Sequence, residues 1–355
     1  MSRIRLLLIA FAASCAMMSA QNANRRVGQT NIAVPVPSDP HELVTGGAHT
    51  PTNATERGMA LAWMQQTIEN TRFHQPAAPS YRMDVTFTAN GTESGQGNMT
   101  EVWLTGRSWR WNANLGAIGT IRGATSGGPY ADNHDSVPMS VHMVRNSIFS
   151  PTYDVALGSQ LRIAAAKWNN KPATCVLSSG VVSPASQSRL WEEVEYCFDN
   201  ASGLLEISSF APGAYTVYGY DKGINFHGHP LPDAITIFEG GNQVLNASFQ
   251  ISDAGPAALS SLGPTPDMTS RETVLQSPSR QPIPVSNSQV KSVQPVIVHA
   301  NVVNGRVVNA EAIATSNSQL SSEAVAVIKA MNLGQTGGQQ QMYFNVKFVP
   351  GNSVN

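Results

Sequence analysis

Apolar residues first recur at helical spacing in Met59, Leu61, Ala62, Met64 and Ile68. Thr55 stands ahead of them as a capping residue, so the pattern predicts a helix that ends near Arg72. After Pro79 the period changes to two. Residues 81–89 alternate, and Asn90-Gly91 is a hairpin signal. Residues 99–104 and 109–115 read as the next pair of strands, joined by Thr105-Gly106-Arg107. A Gly-rich stretch with Pro129 and Asp135 carries no clear period, and residues 137–149 read as a short helix. Strands resume at 161–168, around Cys175 and Cys197, and at 204–210, 215–220, 234–238 and 244–251. Turns are marked by Asp199-Asn200-Ala201-Ser202-Gly203 and by Gly240-Gly241-Asn242. About ten closely spaced strands behind a front helix predict one curved antiparallel sheet or partial barrel.

From residue 253 to 292 the chain is rich in Pro and Ser and loses periodicity, which reads as a linker. A second module follows. Residues 296–303 and 306–314 form a hairpin about Asn304-Gly305. Leu320, Ala324, Val327, Ile328 and Met331 then form a helical stripe, and residues 342–349 are a last strand closed by Pro350. This ββαβ order suits a two-layer domain over residues 293–350. The chain as a whole therefore reads as α+β, with an antiparallel β-rich domain at 53–252.

Composition adds a compartment. Arg3 and Arg5 precede an uncharged run from Leu6 to Met18, followed by Ser19-Ala20. That is the layout of a secretory signal peptide over residues 1–20, too short to span a bilayer, which takes about 20 apolar residues. Ala12-Ala13-Ser14-Cys15 offers the alternative of a lipoprotein site with Cys15 lipidated. Residues 21–52 are polar and read as disordered. A net charge of -1, with 13% of residues charged, leaves no basic field for nucleic acid. Besides Cys15, the cysteines are Cys175 and Cys197, an even pair expected to be bridged in an oxidising compartment.

Two family resemblances follow from these residues. Residues 296–348 resemble the TonB C-terminal domain: a strand and turn ending in Gly305, Val307 and Val308 after it, and Ser316 before the helix. The Leu320-x-x-x-Ala324 spacing and Phe344-x-Val346-x-Phe348 complete the likeness. The family's aromatic-Pro pair after the helix is replaced by Leu333-Gly334, and its Tyr-Pro entrance pair is missing. The resemblance implies a periplasmic module that contacts outer-membrane proteins. Residues 55–252 are similar, in pattern only, to the envelope lipoprotein-carrier (LolA/LolB-like) fold. That likeness rests on the front helix followed by residues 81–89, on Glu101-Val-Trp-Leu and Trp109-Arg-Trp-Asn, and on the later segments from Asp199 to Leu205 and from Leu231-Pro232 to Ile235. It implies a curved sheet that holds acyl chains.

Candidate chemistry is sparse. His227-Gly228-His229 could supply half of a metal site, but no third ligand is evident and the flanking Gly and Pro favour a loop. Glu193 and Glu195 fall on one strand face, which alternation assigns to solvent. No Gly-x-Ser-x-Gly elbow occurs, and Gly116 to Gly128 lacks the Lys of a phosphate loop. Trp109 and Trp111 share a strand face and mark either core packing or an apolar groove for a lipid. Residues 342–349 read as a sheet edge guarded by Lys347, which with Asn345 would pair with an envelope partner or a second copy of the chain. The resulting expectation is a non-enzymatic periplasmic protein without cofactor or metal. It would make protein contacts through its C-terminal module or, alternatively, carry lipid or lipoprotein in its N-terminal groove.

Overall fold

The computed structural model describes residues 47–74, 78–104, 108–132, 137–152, 160–179, 189–255, 262–266, 268–270, 282–315, 317–334 and 339–351. The expected signal peptide, Cys15, and most of the expected disordered segment lie outside these residues. The helix predicted at the front is α1 (Ala54–Asn70), and its cap is Asn53 rather than Thr55. The Asn53 carboxamide oxygen accepts the Glu56 N–H at 2.9 Å, so a side chain satisfies one of the free donors of the first turn.

Five strands follow in a meander: β1 (Tyr81–Asn90), β2 (Ser94–Trp103), β3 (Trp109–Leu115), β4 (Ile118–Thr125) and β5 (Gly128–Ala131). In β1, Tyr81, Met83, Val85, Phe87 and Ala89 are buried on one face while Arg82, Asp84 and Thr86 point away. After α2 (Met139–Phe149) come β6 (Gln160–Trp168), β7 (Lys171–Ser179), β8 (Val194–Asp199), β9 (Leu205–Ala211) and β10 (Ala214–Gly219). A two-stranded pair, β11 (Ile224–Phe226) and β12 (His229–Leu231), leads to β13 (Ala234–Glu239) and β14 (Asn242–Asp253). All but that pair join one sheet, in which β14 lies against β1 and β13 against β10. Both helices cover the same face, and that side holds the main core.

The other face is not uniformly wet. Every residue of β8 is buried. The segment Arg189–Glu193 lies over it, so the solvent face assigned to Glu193 and Glu195 is an interior, with exposures of 1% and 2%. Both carboxylates are paired. Arg162 grips Glu193 with two contacts of 2.6 Å, and Arg189 reaches Glu195 at 3.3 Å and Ser209 at 2.5 Å.

The segment expected as a linker contributes two strands. β15 (Thr269–Ser270) pairs with β5 and closes that end of the large sheet. β16 (Ile283–Asn287) belongs to a second, four-stranded sheet with β17 (Gln294–Val303), β18 (Arg306–Thr315) and β19 (Gln339–Pro350). The β17–β18 turn is Asn304-Gly305, both at positive φ, the conformation a two-residue hairpin needs. α3 (Ser321–Lys329) covers one face of this sheet through Ala324 and Ile328. The other face packs on the large sheet through Ile297, Ile313 and Ala314 against Trp191, Ala211 and Ala214. Contact there is close: the Ile313 carbonyl oxygen would lie 2.9 and 3.0 Å from a β-carbon at Gly213 and Gly240. The described parts of the two modules accordingly belong to one compact unit.

Cys175 and Cys197 are direct cross-strand partners on β7 and β8, at disulfide distance and fully buried. Alkylation of denatured, unreduced protein should therefore label neither. A bridge across a sequence separation of 22 closes a loop worth roughly 3 kcal/mol in the chain-entropy account, so Cys197→Ala should lower the melting temperature clearly. Two reactive thiols at these positions in protein from an oxidising compartment would contradict the bridge.

Candidate functional site

Alternation places Met99, Glu101 and Trp103 of β2 on the covered face. One of these inward positions is thus a carboxylate, and Glu101 is completely buried. An unpaired charge there would cost several kcal/mol, so the groups around it decide whether the fold holds. Arg145, on the inward side of α2, bonds one carboxylate oxygen of Glu101. The other oxygen accepts from the Tyr81 hydroxyl at 2.8 Å and meets His74 Nε2 at 2.5 Å. The Arg145 guanidinium also lies over Trp111, 4.6 Å from the ring centre, and 5.1 Å from that of Phe149. Arg145 thus ties α2 to β2 and to β3 with one side chain.

Burial alone would raise the Glu101 pKa. The Arg145 charge and the hydrogen bonds from His74 and Tyr81 outweigh it and hold the acid at about 2. The same burial, together with the Glu101 charge, pushes the Tyr81 phenol well above its usual range. Glu101 therefore remains a carboxylate at any physiological pH, which suits an electrostatic anchor and not a proton donor.

Around this cluster the lining is apolar and rich in methionine. Met83, Met99, Met139 and Met143 share the core with Phe73, Trp103, Trp111 and Phe226. Trp111 is buried at the cluster and Trp109 packs half-buried against the same core. The four groups at its centre were missed as a set. The available signal was a charged residue at an inward position of an alternating strand.

α2 is held at its N-terminal end by partners from two directions. The Glu93 carboxylate, from the β1–β2 turn, accepts from Met139 N, Ser140 N and Ser140 Oγ at 2.8–3.0 Å. From β19, Gln339 bonds both backbone groups of Val137, and Gln341 donates to the Met139 carbonyl at 2.9 Å.

The remaining expected sites are placed differently from the sequence reading. Asn345 and Lys347 do not lie on an edge, because β19 is paired with β17 on one side and β16 on the other. Asn345 is buried. Pro350 and Lys347 resemble edge guards only until β16 is added in parallel. The edge strands are β16, which carries Pro284, and β18. His227 and His229 flank a turn and diverge, the first to Asp253 at 2.6 Å and the second to Asn70 at 3.4 Å. They form no shared site among the described residues.

Glu101 lies below its unfolded value of 4.5, so its ion pair contributes full stability above that pH and loses it as pH falls toward 2. Denaturant midpoints measured from pH 5 to 2 should fall more steeply in the parent chain than in Glu101→Gln. Arg145→Met at pH 7 strands the carboxylate and should cost about 3–5 kcal/mol. Parallel pH profiles, or a loss below about 1 kcal/mol for Arg145→Met, would show that the pair does not hold α2.

No family model and no curated protein matches the chain. The likeness of the C-terminal segment to the TonB domain therefore rests on its residues and ββαβ order alone. Among solved structures, a LolA superfamily protein from Nitrosomonas europaea is 10% identical with a TM-score of 0.36, covering 61% of this chain and 94% of that one. A putative outer membrane lipoprotein-sorting protein domain from Vibrio parahaemolyticus is 6% identical with a TM-score of 0.32, covering 57% and 94%. Both scores are too low to assign this chain to their fold.

Proposed function

We propose that the chain is a non-enzymatic carrier of acyl-chain ligands, lipid or lipoprotein, in the cell envelope. The ligand would bind on the covered face of the large sheet, with α2 as the displaceable wall. The observation that supports this reading is the lining itself: methionines and aromatics beneath an 11-residue helix whose N-terminal end is held by polar contacts. Methionine is unbranched and flexible, so a methionine-rich surface can repack against ligands of varied shape. Polar contacts at the helix end can be exchanged for water at a net cost of about 1 kcal/mol each, and the apolar face can then close on a chain. The signal-peptide pattern at the N-terminus agrees with an envelope location.

A second reading keeps protein contact as the role of the C-terminal module, with an envelope or outer-membrane protein or another copy as partner. It moves the contact from Asn345 and Lys347 to the edge strand β18, where Val308 is 53% exposed.

Organic extraction of protein purified without detergent, followed by mass spectrometry, should recover lipid in near-stoichiometric amount. After delipidation, a fluorescent fatty acid should bind saturably, and Arg145→Met should speed its uptake several-fold by freeing α2. Absence of both co-purified lipid and saturable binding would overturn the carrier reading.

A further inference from the structure

Where the four-stranded sheet docks on the large one, three ionisable side chains converge. His299 of β17 and Glu311 of β18 are direct cross-strand partners. Glu239, the last residue of β13, faces them from the large sheet. One ligand atom from each lies within 4.8 Å of the other two. His299 and Glu239 are buried and Glu311 is half-buried.

We propose that Glu239, His299 and Glu311 bind a divalent transition-metal ion of the zinc class, which fastens the C-terminal module to the large sheet. The first support is the state of the imidazole. His299 has no exposed surface, yet neither ring nitrogen has an aligned hydrogen bond. Its Nδ1 is 2.8 Å from a Glu239 oxygen, close enough for charge attraction but off the direction of a hydrogen bond. Buried polar groups are nearly always satisfied, and an ion here would satisfy the ring nitrogen that ligates it together with the Glu239 oxygen.

The second support is charge. Two carboxylates and a neutral imidazole around a dication sum to zero, which removes the cost of burying the acids. One nitrogen and carboxylate oxygens suit zinc, whereas calcium requires six to eight oxygen ligands. The third is room for a further ligand. A cavity of about 20 Å³, enough for one water molecule, borders Glu239 and Glu311 but not His299, and its wall sets Thr92 and Ser140 beside the apolar Met139 and Val244. Three protein ligands and a water complete a tetrahedron. Thr92 also donates to Glu311 Oε2 at 2.6 Å, the kind of outer contact that orients a ligating carboxylate.

Without a metal, the same cluster can hold protons. Burial and the neighbouring Glu239 raise the Glu311 pKa. Burial opposes charging of His299, and Glu239 and Glu311 together outweigh it and raise that pKa too. A metal and a proton would thus compete for the same groups.

The test uses tag-free full-length chain stripped with EDTA and dialysed at pH 7.5. One equivalent of zinc should bind and raise the melting temperature by several degrees. Cobalt substituted for zinc should give visible absorption bands characteristic of a low-coordinate site. Glu311→Gln, which keeps the size of a half-buried side chain, should weaken zinc binding at least about tenfold while the metal-free protein melts as a folded chain. His299→Gln should abolish the cobalt bands. The proposal is overturned if zinc gives no thermal shift and cobalt no bands, or if both persist unchanged in Glu311→Gln.

Discussion

The ion pair between Glu101 and Arg145 fixes the arrangement of the large module. A sheet this long has one continuous apolar face, and only α1, α2 and short connecting segments cover it among the described residues. α2 has no side-chain cap of its own and is only 11 residues long, so its place depends on what it touches. Apolar packing would allow it to slide along the sheet. A buried charge does not, because any displacement leaves a carboxylate without its partner in a medium where that costs several kcal/mol. The guanidinium over Trp111 and Phe149 sets the depth of the helix as well as its position along the sheet.

How much of this was legible depended on whether a strand is dictated by its own pattern. β1 and β3 alternate cleanly, and the residues that alternation turned inward are those in the core. β4 and β5 were not legible. Gly119, Gly123, Gly127 and Gly128 break any period, and these strands exist because β3 and β15 pair with them. β16 was missed for a related reason: Pro284 and Ser286 look like linker, and only the parallel partner β19 makes the segment a strand. Alternation also misled at Glu193 and Glu195. The rule gives two faces but not which face meets water, and Arg189–Glu193 turns the outer one into an interior. The clusters at Glu101 and Glu239 gather residues far apart in the chain, so no spacing could announce them.

The C-terminal module shows the same limit from the other side. Its ββαβ order was readable because one helix stripe and three strands suffice to predict a two-layer unit. What the pattern could not give is that eight consecutive residues of β17 are buried. A strand buried on both faces belongs to the middle of a larger body. α3 covers one face and the large sheet the other, so the docking groups, His299 among them, are interior to the whole chain.

These two features meet at α2. Its N-terminal end is gripped by Glu93 from the large sheet and by Gln339 and Gln341 from β19, so a shift of the C-terminal module would release half of that grip. On the carrier reading, magnitudes decide whether a ligand can open this wall. Breaking the Glu101–Arg145 pair without replacement costs about 3–5 kcal/mol, and each polar contact at the helix end about 1 more. A buried methylene returns about 0.8 kcal/mol, so roughly eleven to fourteen methylenes offset the pair and the six end contacts together. A single long acyl chain exceeds that number and a short amphiphile does not. The latch would therefore discriminate by chain length without any pocket shaped to measure it, and loosening the C-terminal module would lower the threshold.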